Sequence, residues 1–589
     1  MSTYEQTWDL DHIFKGGSES EKFHTYVTKL DESIQQMTIK VKGITNVSEL
    51  HNLLIEVQGM MNQVREASAF VSCLKAQNVH DKKAGDLLGR ITSLSAQFQS
   101  SLTTLDKFIL SINESEWTEL LEQDEFKSLQ FVLNERRERS AEKLDVEQET
   151  LILGLGVDGY HGWSQLYDTI IGRITIPFEE NGQIQQLSVG QASNKFSNPD
   201  RQVRKAIFEK WEKTWEEQGD LLSQTLNHLA GFRLSVYKKR GWDETLKEPL
   251  LMNRMGKETL DTMWNVIDKY KPVFVKYLER KASLLGVEKL SWYDLDAPLT
   301  SSTSTVSYQD GAEFILKQFS RFGPKMAGFS KMAFEEKWIE AKDRSGKMPG
   351  GFCTSFPETE QSRIFMTYSG TASNISTLAH ELGHAFHQHV MNDLEPLNQR
   401  YAMNVAETAS TFAEMIVADA AVKYANSEEE KLALIEDKVQ RSVALFMNIH
   451  ARYIFENSFY DERKQGMVSQ ARLNELMVQA QKSAYHESLD EYHPTFWASK
   501  LHFHITGVPF YNFPYTFGYL FSLGIYAKAL QEGSAFEESY ISLLRDTGRM
   551  TVEELAKKHL AVDLTKPDFW EKAIQLSLQD VYDFLEMTK

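Results

Sequence analysis

The chain predicts a mainly α-helical, two-lobed protein with a small β-sheet beside a central motif helix and a β-hairpin near residues 173–189. Three observations lead there: long stretches of helical apolar spacing, alternation around a single Asn-Gly pair, and a short strand-like run just before a His-Glu-x-x-His pentapeptide.

In chain order, Glu21 to Val41, Val47 to Leu74, Lys82 to Leu110 and Arg201 to Lys239 are long amphipathic stretches with few breakers, the pattern of helices that turn one apolar stripe to a core. Arg173 to Val189 instead alternates around Asn181-Gly182, a pair favoured in two-residue hairpin turns because both positions take positive φ. A helix start at Asn198-Pro199-Asp200 follows directly. This places a boundary near residue 195. An N-terminal helical lobe, 1–195, ends in the hairpin, and a catalytic domain occupies 196–589. Arg363 to Gly370 is rich in β-branched and aromatic residues between turn residues and reads as a short strand. As an edge strand beside the motif helix it would pair with an extended peptide through its backbone, and Gly350 and Gly351 would let another backbone approach closely.

Composition narrows the function classes. With 589 residues, 42% of them hydrophobic, the chain can bury a large core. A formal net charge of −19 repels a phosphate backbone and argues against a nucleic-acid partner. Cys73 and Cys353 stand far apart, which does not make a disulfide framework and suits a reducing compartment. Met1-Ser2-Thr3-Tyr4-Glu5 lacks the basic start and apolar stretch of a signal peptide, and no apolar run approaches the ~20 residues of a membrane span. The expectation is a cytoplasmic protein without a membrane partner. Oligomeric state is not legible.

The chemistry centres on His380-Glu381-Leu382-Gly383-His384. Residues four apart share a helix face, so His380 and His384 can hold one zinc ion while Glu381 lies beside the metal's open position. Ser373, Asn374 and Ser376 are N-cap candidates, and Ile375 to Val390 contains no proline, so the motif belongs on a helix. Leu378, Ala379, Leu382, Ala385 and Phe386 surround it. Such a helix is buried, where imidazoles and a carboxylate without partners would be costly.

Zinc needs a further protein ligand. The segment Ala402 to Glu414 is rich in small residues and sets Glu407 and Glu414 two turns apart on one helix face. The rival, His387, lies ~10 Å from His380 along the helix axis, too far to share an ion with it. Glu414 reads as a carboxylate that orients a ligand imidazole. Downstream, His502 to Ser522 opens as a loop with prolines, glycines and alternating aromatics. His504, Tyr511, Tyr515 and Tyr519 would bring neutral donors to a carbonyl oxygen as it becomes an oxyanion. The competing reading of these aromatics is a cluster that simply packs.

The stretch His380 to His384, followed by Ala406-Glu407-Thr408-Ala409-Ser410, resembles the oligoendopeptidase F family, relatives of thimet oligopeptidase and neurolysin. Asn198-Pro199-Asp200-Arg201-Gln202-Val203-Arg204 resembles that family's entry into its catalytic region, and Pro509-Phe510-Tyr511 through Tyr515 and Gly518 its aromatic C-terminal motif. The resemblance spans roughly the last two thirds of the chain; before about residue 110 only helical character matches. It implies one Zn²⁺ per chain on His380, His384 and Glu407. Glu381, His504, Tyr511 and Tyr515 would be catalytic, and Tyr519 would contact substrate. It further implies a site enclosed in a deep channel between helical lobes, cleaving internal bonds of short oligopeptides. Two other readings are a zinc protease with an open cleft acting on folded proteins, and a catalytically vestigial helical peptide-binding or scaffold protein.

Overall fold

The computed structural model describes residues 3–180, 182–300 and 305–589. Helices dominate, and the long ones begin where the sequence supplies caps. α1 (Glu21–Gly43) starts on Ser20, whose side chain accepts from the Phe23 amide, and α3 (Lys82–Ser111) starts on Asp81, which accepts from the Ala84 amide. Between them lies α2 (Leu50–Gln77). The hairpin pairs β1 (Thr175–Glu180) with β2 (Gln183–Ser188), antiparallel, from Thr175 opposite Ser188 to Glu180 opposite Gln183. Gly182 has φ +75°, as the tight turn requires; Asn181 lies outside the described residues. α4 (Arg201–Arg240) opens on the side chain of Asp200 and stops at Gly241, φ +72°, a left-handed stop that glycine adopts without strain.

A three-stranded sheet follows, in the order β3 (Ile339–Glu340), β5 (Gln361–Phe365), β4 (Phe352–Phe356). β3 runs parallel to β5, and β4 antiparallel, with Phe352 opposite Phe365. The strand expected at an edge is therefore the middle one. β3 and β4 are the outer strands, and an extended ligand has their backbone groups, not those of 361–365, to pair with. Next come α5 (Ala372–His389), α6 (Met403–Lys423), α7 (Ile449–Arg463) and α8 (Phe513–Glu532). Among the described residues, no helix is long and apolar enough to cross a membrane.

Two compact units emerge, each assembled from three stretches. The first takes Met1–Lys143, Ser304–Ala420 and Lys528–Ala561; the second takes Leu144–Thr303, Ala421–Ala527 and Val562–Lys589. Each unit therefore mixes residues from both sides of position 195. In the first unit the reason is visible in the core. Apolar side chains of α1, α2 and α3, such as Phe23, Phe70 and Phe98, form one cluster with Phe356 and Phe365 of the sheet and with Leu397. Burying each such ring contributes roughly 1.5–3 kcal/mol, so the N-terminal helices and the sheet form one folding unit.

Candidate metal centre and active site

α5 is fixed at its start by a capping box. Thr371 accepts from the Asn374 amide while Asn374 reaches back to the Thr371 amide. The cap is thus Thr371, ahead of the expected serines, because the chain bends at Gly370 (φ +89°) to enter the helix. Leu378, Ala379, Leu382, Ala385 and Phe386 are all buried, as the apolar pattern requires. The opposite partner is α6, and the two helices touch backbone to backbone. A Cβ at Gly383 would stand 2.5 Å from the Ala409 carbonyl oxygen and 2.6 Å from the Ser410 Cα, so only glycine permits this approach.

That approach brings the expected ligands together. His380 Nε2 lies 3.2 Å and His384 Nε2 3.7 Å from Glu407 Oε2. One ligand atom from each of the three residues can be chosen so that all lie within 4.8 Å of one another. Donors about 2.0–2.2 Å from one zinc ion need such a cluster. Glu414 Oε2 sits 3.3 Å from His380 Nδ1, a contact that fixes the ring with its Nε2 turned toward Glu407. Ser410, not singled out from the sequence, donates its hydroxyl to Glu407 Oε2 at 2.8 Å; its only signal there is a spacing of one helical turn from Glu407.

The electrostatics suit a cation. Burial holds the His384 imidazole down to about 4 despite Glu407 nearby, so at neutral pH it is neutral, the form in which an imidazole can bind a metal. Burial opposes ionisation of Glu407, but hydrogen bonding with His380, both imidazole fields and the Ser410 hydroxyl hold its carboxyl down to about 2. Glu381 behaves differently. Burial, opposed by His380 and reinforced by Glu407, pushes its carboxyl up to about 7, in the range where a general base can take a proton and return it. Its buried Oε2 has no hydrogen-bond partner in the protein. Two imidazoles, an ionised carboxylate and a second carboxyl with an unpartnered oxygen fit a site for one divalent metal ion.

A cavity of about 400 Å³ opens at these groups, walled by His380, Glu381, His384 and Glu407, by Gly351 and β4, and by Gln388 and Tyr401. Gly351 faces the base: a Cβ there would lie 3.5 Å from Glu381 Oε1. His387 is elsewhere. It is fully buried, stacks on Tyr401 at 4.2 Å, and its Nε2 meets Thr547 Oγ1 at 2.9 Å and the Leu544 carbonyl at 3.2 Å. His387→Ala should therefore keep the full metal content in elemental analysis while lowering stability by roughly 1–3 kcal/mol, the cost of stranding buried partners.

The aromatic loop belongs to the second unit. Tyr511 and Tyr515 are half-buried, 5.5 Å apart between ring centroids, and the imidazole beside them is His502, 5.6 Å from Tyr511 and 6.1 Å from Tyr515. Burial, with Arg452 and Lys500 adding to it, holds His502 down to about 4, and its Nδ1 has no protein partner. His504 is fully buried instead, stacked on Tyr167 at 4.0 Å, with its nitrogens facing Thr225 Oγ1 and the Trp497 carbonyl. Tyr519 is also interior, its hydroxyl 2.9 Å from Ser442 Oγ. Packing in this unit thus engages His504 and Tyr519, the former because it alternates with His502 along an irregular turn.

The sequence model of Peptidase family M3 matches residues 195–576, and that of Oligopeptidase F matches residues 109–176. The Oligoendopeptidase F homolog of Lactococcus lactis subsp. lactis is 22% identical over 583 residues, covering 98% of this chain and 96% of that protein. Oligopeptidase PepF of Bacillus subtilis is 22% identical over 584 residues, 97% of this chain and 86% of that one. The crystal structure of oligoendopeptidase-F from Enterococcus faecium has the same fold, with a TM-score of 0.72 at 20% identity over 96% of this chain and 99% of that chain.

Proposed function

The chain belongs to peptidase family M3, and on that premise we propose that it is a zinc-dependent endopeptidase that cleaves internal bonds of short oligopeptides, with one Zn²⁺ per chain held by His380, His384 and Glu407. The observation that carries this reading is the convergence of those three ligands beside a buried, unpartnered Glu381 Oε2. A vestigial scaffold is not favoured, since it has no use for a buried base next to a complete ligand set.

When bound, the metal supplies Lewis acidity, lowering the pKa of water and polarising the scissile carbonyl. Glu381 takes a proton from the attacking water on its carboxylate and passes it to the departing nitrogen. Glu414 and Ser410 hold His380 and Glu407 in their ligating orientations. β4 accepts the peptide backbone along its outer edge, which gives affinity with little side-chain selectivity; its residues Phe352, Cys353 and Ser355 line the cavity. For the oxyanion we assign the hydroxyls of Tyr511 and Tyr515, with His502 taking the part expected of His504. Support comes from the half-buried position of these groups, from the lowered pKa that keeps His502 neutral and from the family pattern of the tyrosines. The two unpaired cysteines favour a reducing, cytoplasmic setting.

Tyr511→Phe and Tyr515→Phe should lower kcat with little change in KM, each by roughly 10²–10³, the usual worth of one oxyanion donor. If both leave kcat within a few fold, the loop only packs. Substrate size is tested separately by incubating the enzyme with peptides of graded length, with and without chelator, and reading products by mass spectrometry. Chelator-sensitive internal cleavage of short peptides and little attack on denatured casein-sized chains is the expected result. Efficient digestion of the long chains overturns the size limit but leaves the metal chemistry in place.

A further inference from the structure

Tyr511 sits at the centre of a tight turn that nothing in its own sequence explains. Phe510, before it, is held at φ +53°, a left-handed conformation unfavourable for a bulky residue. After it, the Asn512 amide donates to the Phe510 carbonyl at 2.7 Å, closing a three-residue turn around Tyr511. Such backbone persists only where the surroundings over-determine it. Here they converge on one side chain. Glu456 of α7, 4% exposed, accepts from the Phe510 amide at 3.2 Å through Oε1 and from Asn512 Nδ2 at 2.5 Å through Oε2. The two donors flank Tyr511. The Phe510 ring stacks on Tyr460 at 5.5 Å, and Arg233 binds the hydroxyls of Tyr460 and Tyr160 behind it.

We infer that Glu456 is a positioning residue for Tyr511, its two carboxyl oxygens gripping the chain on both sides and thereby fixing the direction of the phenol. This rests on the reading of Tyr511 as an oxyanion donor. A donor of that kind acts only when held within ~0.5 Å of its productive position, which a short flexible loop does not achieve unaided.

The test is a double-mutant cycle on the metal-loaded enzyme, comparing Glu456→Gln, Tyr511→Phe and the two together by steady-state kinetics on a short internally quenched peptide, with Tm and metal content measured in parallel. Glutamine keeps the volume but replaces one acceptor oxygen with a donor. Glu456→Gln should lower kcat by roughly 10- to 100-fold, as displaced catalytic groups do, with KM within about twofold of the wild type. The double variant should be no slower than Tyr511→Phe alone, because the carboxylate acts through the phenol. If Glu456→Gln slows the Tyr511→Phe enzyme by its full factor, Glu456 has a separate structural role and the inference is overturned. Wild-type kcat in Glu456→Gln overturns it while leaving the donor reading intact. Wild-type kcat in Tyr511→Phe removes the donor reading and the positioning role with it. If Glu456→Gln does not fold, Asn512→Ala removes one of the two bonds and keeps the carboxylate. It should give a smaller kcat loss that vanishes in the Tyr511→Phe background; a loss that persists there overturns the inference.

Discussion

Glu381→Gln should yield a folded, metal-loaded protein whose kcat is lower by roughly 10²–10⁴, the usual contribution of a positioned general base. The amide fills the same space against Gly351 but cannot accept the proton. The change also removes a buried carboxyl that burial has pushed up to about 7 and that has no hydrogen-bond partner at Oε2, so the variant should be at least as heat-stable as the wild type. Lost turnover with retained metal and undiminished Tm would separate chemistry from folding. Substantial cleavage by the metal-loaded variant would remove Glu381 from the mechanism.

The second large effect is on the metal itself. His380→Ala, His384→Ala and Glu407→Ala should each reduce bound metal well below one equivalent and bring activity to background, because each deletes one of the three proposed ligands. Glu414→Ala should be milder, weakening metal affinity by roughly 10- to 100-fold, as loss of a carboxylate behind a ligand imidazole does. Elemental analysis after dialysis against a defined chelator reads all four. A Glu407→Ala protein that keeps a full equivalent would overturn the choice of third ligand.

The two histidines and the base were legible because the motif is local: a helix of known pitch fixes where residues four apart point. The sheet was less so. The residues of 363–370 announce a strand, though it runs over 361–365; alternation along one strand does not say which neighbours it will have, and only the pairing with both β3 and β4 makes it central. The packing of residues 3–143 against Phe356 and Phe365 joins segments hundreds of positions apart and leaves no periodic trace. Of the two histidines in the aromatic loop, no period decides which faces the tyrosines, since an irregular turn carries none. Ser410 and Glu456 were missed for a related reason: their meaning lies in the groups they hold, not in their own residue type.

The contact at Gly383 has a bearing on how portable this centre is. Ligand distances across α5 and α6 depend on two main chains meeting with no side chain between them, so the pentapeptide's fourth position tolerates no more change than its histidines do, although it binds nothing. Grafting His-Glu-x-x-His onto another helix pair would transfer two imidazoles and a base, but with any larger residue at that position the helices would be pushed apart and the third ligand would fall out of reach. The transferable element is therefore the crossing of two helices at a glycine, and the histidines are what that crossing puts to use.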